Sequence, residues 1–134
     1  VIVKFSITCG DDNLSKVIEP NVCVSSKRFE GIKKLRDAGI YTGVLIMPLL
    51  PFINDTKDNI DKIINQAYKS RANFIYPMFG VTLRANQRFY YYTKLRENFP
   101  NLVSKYQNLY SDKYVCNSPN FKSLQNILKK NVLN

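Results

Sequence analysis

The stretch GVLIMPLLPFINDT (residues 43–56) decides how this chain is to be read. It runs as an apolar strand, meets Pro48 and Pro51, and stops on Asn54, Asp55 and Thr56 before a long helical pattern. Proline has no N–H to give a neighbouring strand, so it belongs at a sheet edge or where a strand leaves the sheet. Two readings follow. One is a plain edge; the other is the mouth of an α/β site, where strand ends and loops face a ligand.

Working outward, YTGVLIMP (residues 41–48) is the second of three strands. The first, VIVKFSIT (residues 1–8), alternates. Val3, Phe5 and Ile7 fall on one side and Lys4, Ser6 and Thr8 on the other, as a side-chain period of two requires. The third is NFIYPMF (residues 73–79). Asp11 and Asp12 are placed to cap a short helix carrying Leu14, Val17 and Ile18, which Pro20 ends. Ser26 is expected to cap a second helix with Phe29, Ile32 and Leu35 inward and Gly39 as its left-handed stop. A third helix starts at Asp55 and Thr56 and shows the stripe Ile60, Ile63, Ile64, Ala67 and Tyr68. Strands alternating with helices predict a parallel sheet.

After Leu83 the strands stop and helices follow. RANQRFYYYTKLRENF is one. PNLVSKYQNLY is a second, with Leu102, Val103, Tyr106, Leu109 and Tyr110 on one face. SPNFKSLQNILKK is a third, with Ser118 as cap and Phe121, Leu124, Ile127 and Leu128 inward. The join falls near residue 83, giving segments 1–83 and 84–134.

The polar face of the first strand bears on the architecture. In a doubly wound parallel sheet both faces are buried and strands read almost continuously apolar. One apolar and one polar face instead suit a barrel wall, helices outside and a wet or ligand-filled interior. The expected fold is therefore α/β: a partial (β/α) TIM-type barrel of about three βα units with parallel strands, followed by a helical C-terminal appendage. In such barrels the reactive end is where strands finish. That places Thr8 and Cys9, Met47 and Pro48, and Met78 and Phe79 around one rim.

Composition sets the outer bounds. The 134 residues make one domain with a modest core, or a piece of something larger. The chain opens without Met, already inside a strand, which points to a fragment. No apolar run approaches the roughly 20 residues needed to span a bilayer, and no signal peptide opens the chain. Cys9, Cys23 and Cys116 offer neither a disulfide framework nor a metal knuckle, so a reducing, cytoplasmic setting fits best. The absence of His removes Ser/His/Asp and Cys/His triads and the commonest zinc ligand. Of the net charge of +10, seven units sit in residues 84–134, which also hold nine of the 17 aromatics. Such a tail could meet phosphates and stack on bases, with Arg84, Arg88, Lys94 and Arg96 as the candidate contacts to DNA. The plain alternative is the Asn, Lys and Ile bias of an AT-rich genome.

FSITCGDDNLSKVIEP, then Arg28 and IKKLRDAGI, then GVLIMPLLPFIND resemble the second half of radical S-adenosylmethionine (radical SAM) proteins. The similarity is to the DNA-repair photolyase-like branch, related to spore photoproduct lyase. TLRANQRFYYYTKL, FPNL and YVCNSPN are similar to the tail of that branch. The resemblance covers nearly all of the chain and rests on the order and spacing of these pieces. It implies strands four to six of a partial barrel, with the N-terminal half missing. It implies, for the intact protein, S-adenosylmethionine and a [4Fe–4S] cluster, reductive cleavage to a 5′-deoxyadenosyl radical, and lyase-like action on DNA lesions.

Departures limit what is carried over. The C-x₃-C-x₂-C loop that holds the cluster in such enzymes has no counterpart here, and three widely separated cysteines cannot imitate it. Cys9 stands where the branch has a second Thr, and Arg71 where a helix end usually has Gly. What remains is one wall of the cofactor site. Ser6 is a candidate hydrogen-bond partner for the methionyl or ribose part of the cofactor, against a structural hydroxyl. Thr8 stands at the same rim, and Met47 and Met78 either pack against adenine or fill core gaps. Glu19 and Arg28 are expected to form an architectural ion pair. Cys116 is a reactive thiol or, in the favoured reading, a buried small hydrophobe. The rival functions are a truncated, catalytically inactive fragment and a nucleic-acid-binding module that uses the basic tail alone.

Overall fold

In the computed structural model, which describes residues 1–132, the chain forms a mixed α/β structure around a three-stranded parallel sheet. Strand β1 (Ile2–Ser6) and strand β3 (Ile75–Pro77) flank strand β2 (Tyr41–Ile46), giving the order β1-β2-β3. The register pairs Lys4 with Gly43 and Ser6 with Leu45, and Leu45 with Tyr76. The sheet is open; no closed barrel forms among the described residues.

Helices α1 (Asp12–Ile18) and α2 (Ser25–Asp37) link β1 to β2, and helix α3 (Lys57–Lys69) links β2 to β3. Of the pairs expected at the two helix starts, Asp11 and Asp12 and then Asp55 and Thr56, Asp11 caps α1 and Thr56 caps α3: Asp11 accepts from Leu14 N at 2.9 Å and Thr56 Oγ1 from Asn59 N at 3.1 Å. The cap expected at Ser26 does not form. Helix α2 begins at Ser25 with Val24 in the cap position, and Ser26 donates through both N (2.9 Å) and Oγ (2.6 Å) to the Asp12 carboxylate. A neighbouring helix thus supplies the acidic group that α2 lacks in its own first turn. Gly39 ends α2 at φ 80, as read. Arg71 takes the left-handed position after α3, φ 59, with its guanidinium paired to Asp37.

Phe29, Ile32, Ile60, Ile63 and Ala67 of the helices pack on Ile7, Val44 and Ile46 of the sheet's covered face. Each fully buried Ile contributes about 2 kcal/mol, so this cluster is the main source of cohesion. Tyr68, read as part of the α3 stripe, points to solvent instead. The stripe is wide enough only for the residues nearest its axis, and Tyr68 flanks it.

Two expectations for the tail are corrected. Strands do not stop at Leu83: β4 (Gly80–Thr82) pairs antiparallel with β5 (Val115–Asn117), with Val81 opposite Cys116. Three residues each are too few for an alternation signal, and the partners lie more than 30 residues apart. Nor is the tail an appendage. Helix α6 (Phe121–Val132) returns to α3, and its Leu124 and Leu128 belong to the main core. Helix α4 (Ala85–Asn98), a 3₁₀ turn (Pro100–Leu102) and helix α5 (Val103–Tyr110) close a second core around Tyr106, Tyr110, Leu83, Leu95 and Cys116. Phe52 and Ile53, from the loop after β2, pack against this second core. Leu109 and Phe121, both expected inward, are exposed. Among the described residues no helix is long and apolar enough to cross a membrane.

Candidate functional site

The loop after β2 answers the question its prolines raise. β2 stops at Ile46, the Met47–Pro48 peptide is cis, and the chain leaves the sheet. It then folds over the carboxyl ends of β1 and β3 and is held there by its own polar side chains. Asn54 is fully buried; its amide nitrogen donates to Thr8 O (2.9 Å) and Pro48 O (3.2 Å), while its oxygen accepts from Leu50 N. Asn59, on α3, donates to the same Thr8 carbonyl at 2.9 Å and accepts from Gly10 N at 2.8 Å. Asp55, fully buried, accepts from Phe52 N at 2.8 Å and from Ser118 Oγ at 2.5 Å. Both prolines sit where no N–H is needed. The N–H groups of Leu50 and Phe52 are paired by the loop's own side chains, and those of Met47, Leu49, Ile53 and Asn54 by backbone carbonyls.

The rim residues are placed as follows. Thr8 is fully buried, and its hydroxyl donates to Glu19 at 3.1 Å. Glu19 meets Arg28 at 3.1 Å, the expected ion pair, and Arg28 also donates to Ser6 O at 2.6 Å. Three side chains therefore fix the end of β1. Ser6 itself is exposed on the uncovered face of the sheet, in line with Leu45 and Tyr76. Met47 is half-buried, and Met78 is 48% exposed. Lys4, Leu45, Met47, Phe74 and Tyr76 line a shallow cavity of about 330 Å³ on that face. Met47 lines this cavity, Ser6 stands on the same face outside it, Met78 lines a separate cavity with Phe79, Val81 and Phe121, and Thr8 lies within the protein.

The four tail cations do not gather into one patch. Arg84 and Arg88 both turn to the segment before β5: Arg84 Nε donates to Tyr114 Oη at 3.3 Å, and Arg88 donates to Asp112 O at 2.7 Å. Lys94 pairs with Glu97 at 2.9 Å and lies over the Tyr90 ring. Arg96 is exposed, two residues on from Lys94 and so on the opposite side of α4. Most tail tyrosines are inward as well. Tyr91 Oη and Tyr106 Oη lie 2.9 Å apart, Tyr106 donates to Pro51 O at 2.6 Å, and Tyr110 donates to Asn117 O. Burial pushes the Tyr91 hydroxyl up to about 12 and raises Tyr106 and Tyr110 too, so these are neutral packing groups. Phe89, Tyr90 and Tyr114 are the tail aromatics left most exposed for stacking, besides Phe121.

Cys9 and Cys116 are buried and their thiols are pushed up by desolvation, while Cys23 is exposed. Among the described residues no three His, Cys, Asp or Glu side chains gather as a metal site. Residues missed at sequence level are Asn54, Asn59 and Asp55. Asn59 carried a signal, a lone amide one turn before Ile63 on the buried side of α3.

Asp55 and Asp12 make opposite pH predictions. Desolvation raises the Asp55 carboxyl above its usual range despite its hydrogen bonds, whereas the Ser26 hydroxyl and N–H lower that of Asp12. A raised carboxyl favours folding below the unfolded value near 4 and loses that contribution as pH climbs through the folded value. A lowered one contributes above the unfolded value and fades as pH falls. Urea unfolding of the protein and of Asp55→Asn, from pH 3.5 to 8, is expected to show the wild type losing ground to the variant as pH rises. An advantage that grows with pH contradicts this.

The fold and site define a class: a mixed α/β protein whose parallel sheet is covered by helices on one face and carries its loops at the strands' carboxyl ends. The chain is 30% identical over 110 residues to uncharacterized proteins of Mycobacterium bovis and Mycobacterium tuberculosis, covering 82% of this chain and 32% of each relative. It is 33% identical over 98 residues to an uncharacterized protein of Methanocaldococcus jannaschii, covering 73% of this chain and 35% of the relative. The chain thus spans about a third of the length of the curated relatives it matches. No family model matches the chain, and no solved structure matches it significantly.

Proposed function

We propose that this chain is the C-terminal part of a radical SAM enzyme, three units of a partial (β/α) barrel whose open sheet face forms one wall of the S-adenosylmethionine site. One observation carries the reading. The sheet's helices lie on one face, and the other face leaves Lys4, Ser6 and Tyr76 exposed, with Tyr76 at 61%. A parallel sheet is ordinarily covered on both faces, so this face is where further chain and a ligand belong. The relatives, about three times as long, are consistent with that.

Met47, Tyr76 and Met78 offer apolar surface and Ser6 a hydroxyl, a fit for one side of a nucleoside. The cysteines do not fit an iron–sulfur cluster: two are buried, Cys116 in the second core, and the third is on the α1–α2 loop. Radical chemistry is the cofactor's contribution when bound. These residues' share is to seat the nucleoside and keep water from it. Where the substrate is nucleic acid, Arg84 and Arg96 are the cations proposed to meet phosphate.

The reading frame that encodes Val1 provides the first test. It is expected to continue upstream into a C-x₃-C-x₂-C loop within roughly one to two hundred codons, the size of a half barrel. The protein made from that longer frame is expected to bind S-adenosylmethionine, with affinity reduced about tenfold by Met47→Ala or Met78→Ala. A stop codon just upstream, or an affinity indifferent to both substitutions, defeats the proposal.

A further inference from the structure

The tail is basic, yet its side chains reach the loop of residues 47–55 with specific hydrogen bonds. We infer that Tyr106, Ser118 and Asn120 are positioning residues that clamp this loop over the carboxyl end of the sheet and so set where Met47 stands. Tyr106 Oη donates to Pro51 O at 2.6 Å, Ser118 Oγ to the Asp55 carboxylate at 2.5 Å, and Asn120 Nδ2 to Asp55 O at 3.1 Å. They come from two separate elements of the tail, α5 and the turn before α6, and reach the loop at two points four residues apart. Between those points Phe52 holds a left-handed backbone, φ 64, that a non-glycine residue adopts at a cost. Its ring is fixed by the edge of Tyr106, centroids 6.0 Å apart, and by Lys105 Nζ at 4.1 Å above it.

The loop passes this restraint on. Asn54, next to Asp55, donates to Thr8 O at the end of β1, and Leu49 N donates to Met78 O at 3.3 Å beyond β3. Leu49 anchors the start of the loop in the main core, but further on Phe52 and Ile53 rest on the tail's own core, and a loop without such support opens locally at little cost. The clamp replaces that freedom with two buried hydrogen bonds, from Tyr106 and Ser118, and a part-buried third from Asn120. It concerns the loop's order alone, so it stands or falls independently of the cofactor that the open face takes.

The full 134-residue chain serves for the test, with Tyr106→Phe and Ser118→Ala as clamp variants. Tyr110→Phe is the control, since it removes a comparable hydrogen bond, to Asn117 O, that stays within the tail. Amide hydrogen exchange is expected to speed about fivefold or more at Leu50, Phe52 and Asn54 in either clamp variant, and to leave β1 and β2 unchanged. The chain has two methionines, so its ε-methyl NMR spectrum holds two signals. The Met47 signal is expected to shift or broaden in the clamp variants and to stay in place in Tyr110→Phe. Loop protection that is unchanged in both clamp variants overturns the inference. So does an equal loss of protection across sheet and loop, or an equal effect of the control.

Discussion

Replacing Tyr106 with alanine is expected to cost about 4 kcal/mol, the largest effect of any single substitution in the tail. The ring is fully buried and meets Tyr91, Tyr92, Tyr110 and Phe52 at centroid distances of 5.4–6.4 Å. Its loss empties the centre of the second core, and the hydroxyl's loss strands Pro51 O and the Tyr91 hydroxyl away from water. Urea denaturation reads the effect as a lower midpoint at an unchanged m-value. A cost under about 1 kcal/mol would mean that the second core collapses around the gap, and that the tail packs more loosely than described.

Gly10→Ala is the second. Gly10 lies where the chain leaves β1, and a Cβ there would stand 2.3 Å from Lys62 Cβ and 3.2 Å from Ile63 N. The obstacle is the root of a side chain on α3, so rotation about χ angles cannot clear it. The backbone of one element must move. Gly10 is also pinned on both sides, its N–H to Asn59 Oδ1 and its carbonyl to Gln66 Nε2, each at 2.8 Å. A shift of α3 relative to β1 disturbs these bonds and the Asn59–Thr8 contact together. A loss of about 3 kcal/mol is expected by the same measurement. Slower tryptic cleavage or an unchanged midpoint would show that α3 slides freely over the strand end.

These two positions illustrate why part of the site was not legible in the chain. Nothing about Gly10 in TCGDD announces a contact 52 residues away, and a Gly before two Asp reads as a turn. Tyr106 was legible as an inward residue of an amphipathic helix, because helical spacing alone carries that information. Its hydrogen bond to Pro51 was not, since it joins residues 55 apart. In the sequence Asp55 reads, with Thr56, as a helix start, and Asn54 as part of the stop before it. Asn54 and Asp55 precede the true cap, Thr56, and spend their side chains inside the loop.

The sequence by itself determined the local order: three strands with helices between them, the caps at Asp11 and Thr56, the stop at Gly39, the ion pair of Glu19 with Arg28, and the exit of β2 at its prolines. Each depends on neighbours within about ten residues, where hydrogen-bond reach and side-chain period suffice. Only the tertiary structure decided that α6 returns to the main core, that β4 finds β5, and that the basic, tyrosine-rich tail turns most of its tyrosines inward. Those outcomes depend on which apolar surfaces meet after the chain has closed long loops. Hydrophobic burial has no direction of its own, so a pattern of oily residues says that a face is covered without saying by what.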